Sequence, residues 1–251
     1  MLNSLSEYIS KTVNKLNPVK CVICGQYIVG RYYIDSWKQP AHEHHDIKYC
    51  FCCGRIIAKN ALNFPDGRQI CIHCQPSIVK DKQGIDWIDK KVREVFAKIG
   101  FNDIPQNVPI EICDSNKIMN LQGGNSIDPN QRGLAHFTKI ISNGITKLEH
   151  KIFIIDNLTK TAFAGVLAHE FLHVWQNDKG ISPPRDICEG FCNLGSYAIY
   201  HAINNKKSLI FIEQMEMNPD SIYGEGYRKV KGYLDKNGWP ATIAKIKEYK
   251  T

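Results

Sequence analysis

Cysteine and histidine recur in this chain at a single spacing used twice. Cys21 and Cys24 form a CxxC, seventeen residues pass, and His42 and His45 form an HxxH. Cys50 and Cys53 form a second CxxC, and seventeen further residues lead to the pair Cys71 and Cys74. Zinc takes four nitrogen or sulfur ligands at tetrahedral corners; a CxxC turn offers two adjacent corners, and the pair across the loop offers the other two. Each half therefore closes one structural zinc site. The aromatic and β-branched segments between the pairs, such as Tyr27 to Tyr33, suit short hairpins that are too small to hold themselves without metal. A disulfide knot, or a set of unligated thiols, leaves the doubled spacing unexplained. His44 stands beside His45 and is an alternative fourth ligand of the first site. Cys52 and His73 lie inside ligand pairs and are expected to point away from the metal.

Seven of the ten cysteines lie between Cys21 and Cys74, so the chain is partitioned by chemistry. Composition changes near Pro76, after which a helical pattern begins. The expected division is a tail or short helix over 1–17, a two-zinc module over 18–78 and a second domain over 79–251. The first twenty residues carry no continuous apolar core with a cleavage site, and no stretch approaches the roughly 18 apolar residues of a membrane span. A soluble, cytoplasmic protein in a reducing compartment is expected, with no membrane partner, and CxxC pairs there are metal ligands rather than disulfides. The formal charge of +7 is spread over scattered lysines. Without a basic stripe interleaved with aromatics, a nucleic-acid partner is not expected.

Beyond the module, Ile85, Ile88, Val92, Val95, Phe96 and Ile99 fall at helical intervals and predict a surface helix. Val108–Cys113, Gly133–Ile141 and Lys151–Ile155 read as strands of a small sheet, with Gly123, Gly124 and Asn125 in a connecting loop. Thr161–Gln176 is strongly helical and contains His169, Glu170, Phe171, Leu172 and His173, an HExxH. Residues four apart lie about 40° apart around a helix axis, so the two imidazoles project together and can hold one catalytic zinc. Glu170, between them, is the general base that accepts a proton from a water activated by that metal. Phe163, Val166, Leu167, Leu172, Val174 and Trp175 make the helix apolar nearly all round, hence buried. Buried histidines and a carboxylate are costly unless a metal or partners satisfy them.

Glu189 is the expected third ligand. The HExxH helix ends near Asn177, Gly180, Pro183 and Pro184 make the reversal, and a second helix starts near Pro184. If the two run antiparallel, Glu189 comes level with His173 and one position stays open for chemistry. Cys188 and Cys192 read as small core residues rather than ligands. For the donor to an oxyanion two tyrosines compete: Tyr197, two turns after Glu189 and suited to supporting it, and Tyr223, in a glycine-flanked segment. Tyr223 is favoured.

The front module resembles a LIM domain, with one departure: four residues separate His45 from Cys50 where LIM domains usually have two, which affects the packing of the fingers. The stretches Gly165–Glu170 and Glu189–Cys192, with Gln131–Leu134 and Tyr223–Arg228, resemble the peptidase domain of the DA1-type LIM-peptidases of plants and their bacterial relatives. The order of parts, LIM-like module then HExxH domain, is similar too. What this resemblance implies is a gluzincin-like peptidase acting on protein substrates, controlled in plants by ubiquitin through helices in front of the module; here about twenty residues precede Cys21.

The expected fold is α+β, a zincin-like metallopeptidase domain behind a small LIM-like double zinc finger. The expected function is zinc-dependent hydrolysis of peptide bonds in a protein or peptide substrate, with one catalytic and two structural zinc ions. The module is expected to bind a protein partner, since a four-ligand site has no position for substrate. The alternative is an adaptor whose HExxH domain is weak or silent.

Overall fold

The computed structural model describes residues 18–124, 131–142 and 145–250. They form a mixed α/β protein of two compact units, one ending at Ile78 and the other starting at Val79. No helix among the described residues is long and apolar enough to cross a membrane.

In the first unit, β1 (Tyr32–Ile34) pairs antiparallel with β2 (Pro40–His42), and β3 (Leu62–Asn63) with β4 (Gln69–Ile70). Strands of two or three residues cannot stand alone in water. Their apolar support is small: Ile28, Tyr32, Ala41 and Ile56 are buried around Cys21, with Ile47 and Tyr49 packed against them. The two fingers are joined by Asp35. One of its carboxylate oxygens accepts from the N–H groups of Trp37 and Gln39 at 2.9 and 2.8 Å, and the other from Ile56 of the second finger at 2.8 Å. The Trp37 indole donates to the Cys53 carbonyl at 2.8 Å, and the Arg55 guanidinium lies 3.9 Å over its ring. Polar contacts from the β1–β2 turn thus tie the first finger to the second.

The second unit opens with α1 (Lys82–Ile99), capped by Asp81, which accepts from Gly84 N–H at 2.8 Å. Its buried face is Ile88, Val92 and Phe96. β5 (Ile110–Cys113) follows, then α2 (Ser115–Leu121), capped by Asp114. This short helix was not expected from the sequence, because seven residues hold too few turns to show periodicity. The hairpin β6 (Gly133–Ser142) and β7 (Ile145–Ile155) completes a sheet of order β5-β7-β6, with β5 parallel and β6 antiparallel to β7. β7 begins six residues earlier than the expected Lys151, since residues that look polar in isolation gain a hydrogen-bonding partner in β6. Of the expected glycine loop, Asn125 lies outside the described residues.

α3 (Lys160–Lys179) packs against β6, β7 and α1, and α4 (Arg185–Ile203) against α3. α5 (Lys206–Glu216) and a π-helical turn, Ser221–Glu225, lead into α6 (Gly226–Lys247), which breaks at Gly238 ahead of Pro240. Phe101 meets Trp175 edge-on, ring centres 5.2 Å apart, and Phe191 closes the same cluster.

Trp175 is fully buried, yet its indole reaches Asp103 at 2.8 Å, and Lys179 lies 3.4 Å from the same carboxylate. Burial pushes the Asp103 carboxyl up, but the Trp175 hydrogen bond and the Lys179 charge outweigh it and hold it below the usual range. The folded pKa is thus below the unfolded one. Its contribution is complete above the unfolded value of about 3.9 and is lost as pH falls through the folded value. Asp103→Asn should lower stability at pH 7 by about 0.5–1 kcal/mol, a modest figure because the carboxylate is half exposed. In urea unfolding followed by tryptophan fluorescence, wild type and variant should converge below about pH 4.

Candidate metal centres

The first unit gathers two donor groups. Cys21, Cys24, His42 and His45 form one, and Cys50, Cys53, Cys71 and Cys74 the other, the ligand atoms of each lying within 4.8 Å of one another. In the first, the Tyr27 carbonyl lies 3.2 Å from His42 Nε2 and can only accept, so Nε2 carries the proton. This leaves the lone pair on Nδ1, 3.5 Å from Cys24 Sγ. His45 belongs to this group, whereas His44 stacks on His42 with ring centres 4.8 Å apart. His45 Nε2 is buried with no hydrogen-bond partner. Backbone hydrogen bonds pull the Cys21 thiol down to about 6 against the effect of burial.

All four sulfurs of the second group are buried; Cys53 and Cys71 lie 3.8 Å apart, and the Cys71 N–H points at Cys50 Sγ at 3.3 Å. Cys52, expected to point away, is also buried within hydrogen-bonding reach; its bonds and those among the four split the thiols, driving Cys50 down and Cys74 up. Four buried sulfurs cannot all ionise together without a cation, and a soft divalent ion such as zinc suits them. Both groups are compatible with zinc, as in a LIM-like module.

The third constellation is in the second unit, where α3 and α4 run antiparallel. Gly165 O accepts from Ser196 Oγ at 2.8 Å, Gly195 lies against Ala168 O, His169 meets Asn193, and His173 meets Glu189. The Nε2 atoms of His169 and His173 face each other at 3.0 Å, with Glu189 Oε2 3.3 and 3.5 Å from them. Burial raises the Glu189 carboxyl, but the two imidazoles outweigh it and hold it well below the carboxylate range. Burial lowers His173, but its hydrogen bonds to Cys188 and Glu189, which accept from the ring, and the charges of Glu170 and Glu189 reverse that, leaving it well above its ordinary value.

Two thiols also belong to this neighbourhood. Cys188 Sγ lies 3.8 Å from His173 Nδ1, and Cys192 Sγ lies within 4.8 Å of ring nitrogens of both histidines. Cys192 is fully buried and already accepts from Gln176 Nε2 at 3.0 Å. Hydrogen bonds with Cys192 and with His173 outweigh burial and bring the Cys188 thiol down to about 5.

Glu170, 5% exposed, sits under the start of β6. A side chain at Gly133 would collide with its carboxylate, and the Ala135 N–H donates to it. Burial raises its pKa despite the two histidines. Tyr223 is tied in by its backbone: its carbonyl accepts from Asn193 Nδ2 at 3.1 Å, and its N–H donates to Asp220 Oδ1 at 2.7 Å. The turn comes this near because Gly190 of α4 meets the Gly226 backbone, and Gly226 meets Asp186 O, at distances that leave no space for a Cβ. Tyr197, expected to support Glu189, faces α6 instead: Lys231 lies 4.5 Å over its ring and bonds its hydroxyl, and His201 packs beside it. The reason is the crossing of α6, which supplies a cation where the sequence shows only a helix face. Asn193 went unremarked in the sequence, although its position one turn after Glu189 marked it as a neighbour.

No family model matches the chain, and no solved structure does. Three plant proteins are similar to it. Protein DA1 of Arabidopsis thaliana is 22% identical over 90% of the chain, and the LIM domain-containing protein HDR3 of Oryza sativa subsp. japonica is 22% identical over 93%. Protein DA1-related 1 of Arabidopsis thaliana is 21% identical over 84%. The chain is DA1-like. It spans between 50% and 62% of the length of these relatives.

Proposed function

We propose that this DA1-like chain is a zinc-dependent peptidase with a zincin-like α+β catalytic domain and a LIM-like module that binds a protein partner or the substrate. The observation that carries the reading is the convergence of His169, His173 and Glu189 from two antiparallel helices beside a buried carboxylate. We assign Glu189 rather than Cys192 as third ligand, because Cys192 is fully buried and held by Gln176, whereas Glu189 Oε2 lies within 3.5 Å of both Nε2 atoms. Zinc held there supplies Lewis-acid activation of the attacking water and of the peptide carbonyl. Glu170 takes the proton of that water and returns it to the departing amide nitrogen; its raised pKa suits both tasks. The Ala135 N–H keeps its carboxylate oriented. Tyr223 is the donor to the oxyanion, supported by the anchoring of its peptide to Asn193. The structural zinc ligands are Cys21, Cys24, His42 and His45, and Cys50, Cys53, Cys71 and Cys74.

The test compares new peptide termini, by mass spectrometry, in a lysate digested with wild type and with Glu170→Ala. Termini that depend on Glu170 are expected, from protein holding three zinc ions. Equal termini in both digests would instead favour an adaptor.

A further inference from the structure

We propose that Asn193 is a positioning residue that couples metal capture at His169 to the conformation of the turn carrying Tyr223. The inference rests on the reading of His169, His173 and Glu189 as metal ligands. Asn193 uses both ends of its amide: Nδ2 lies 3.1 Å from the Tyr223 carbonyl and Oδ1 lies 3.0 Å from His169 Nδ1. A backbone carbonyl can only accept, which fixes the NH₂ end of the amide on Tyr223 and the oxygen on His169. That oxygen can also only accept, so His169 Nδ1 carries the proton. The lone pair is left on Nε2, the atom 3.3 Å from Glu189 and 3.0 Å from His173 Nε2. A carbonyl thirty residues beyond Asn193 thus decides the tautomer of a ligand.

The same amide holds the turn. Ser221–Glu225 is anchored on one side by Asp220, whose Oδ1 accepts from Ile222 and Tyr223 N–H at 2.8 and 2.7 Å. Asn193 anchors the other side. A cation on Nε2 makes Nδ1–H a stronger donor, which polarises the amide and strengthens its bond to Tyr223 O. Metal and turn therefore stabilise each other, and the coupling is reciprocal. Aspartate could still accept from His169 but would set an oxygen against the Tyr223 carbonyl. Leucine would abolish both bonds. The two variants separate the two halves of the device.

The test uses the full chain as wild type, Asn193→Asp and Asn193→Leu. Zinc content comes from elemental analysis, the affinity of the weakest zinc from competition with a chromophoric chelator, and turn protection from hydrogen exchange of peptides covering 220–228. Loading the third zinc should slow exchange of that peptide in the wild type by about tenfold or more, on the scale of typical coupling energies. Asn193→Asp should keep the affinity within about fivefold yet lose the slowing, and Asn193→Leu should weaken zinc by about 10–100-fold. Zinc affinity unchanged in Asn193→Leu, or wild-type slowing in Asn193→Asp, overturns the coupling. The aspartate variant, nearly isosteric, decides the matter should the leucine variant not fold. Wild type that never holds a third zinc overturns both the coupling and the metal reading beneath it.

Discussion

Glu170→Gln should hold as much zinc as the wild type and lose about three orders of magnitude in turnover, the scale of a missing general base. Glutamine matches glutamate in shape and keeps an oxygen for the Ala135 N–H, so the buried site need not rearrange. It cannot take up a proton. Because burial has raised the carboxyl's pKa, the glutamate is poised nearer the operating pH than an exposed one, and this advantage disappears with the substitution. His173→Ala and Glu189→Ala act differently: each removes a side chain that faces the other donors within 3.5 Å, so zinc itself should be lost. Measuring metal content and peptide cleavage on the same preparations separates the two outcomes. A Glu170→Gln protein that cleaves as fast as the wild type would sink the mechanism.

Cys53→Ser should unfold the first unit and leave the second largely intact. That unit has two-residue and three-residue strands and a small apolar cluster, too little burial to offset the entropy of ordering its backbone. Structural zinc supplies about 10–16 kcal/mol of apparent binding energy in modules of this kind, so losing one site removes most of the driving force. Cys53 also sits at the junction of the fingers, its carbonyl bonded to the Trp37 indole, so the disturbance should spread to the first finger. The second unit has its own core around Phe96, Trp175, Phe191 and Tyr227 and should keep its helices. Limited proteolysis should yield a resistant fragment starting near residue 79, and zinc content should fall by at least one. A variant that resists proteolysis throughout and retains its zinc would show that the cysteines are not structural ligands.

Much of this protein could be read from its residues because the decisive signals are local. Fixed ligand spacing is a property of the chain, so the repeat from Cys21 to Cys74 announced two donor groups before any contact was known. The 3.6-residue period put His169 and His173 side by side, and the prolines before Arg185 marked the helix that carries Glu189. Tertiary structure decided the rest, because it depends on which surfaces meet. His45 rather than His44 joins the first donor group, as backbone direction determines which ring turns inward. Asp35 sets the join between the fingers by capturing an N–H twenty-one residues away. Tyr197 is turned to Lys231 by the passage of α6, and Asn193 is drawn to Tyr223 by the close contact of Gly190 with Gly226. Sequence spacing can specify which side chains share a helix face; only packing brings a second helix to that face, and with it the partners that fix tautomer, charge and reach.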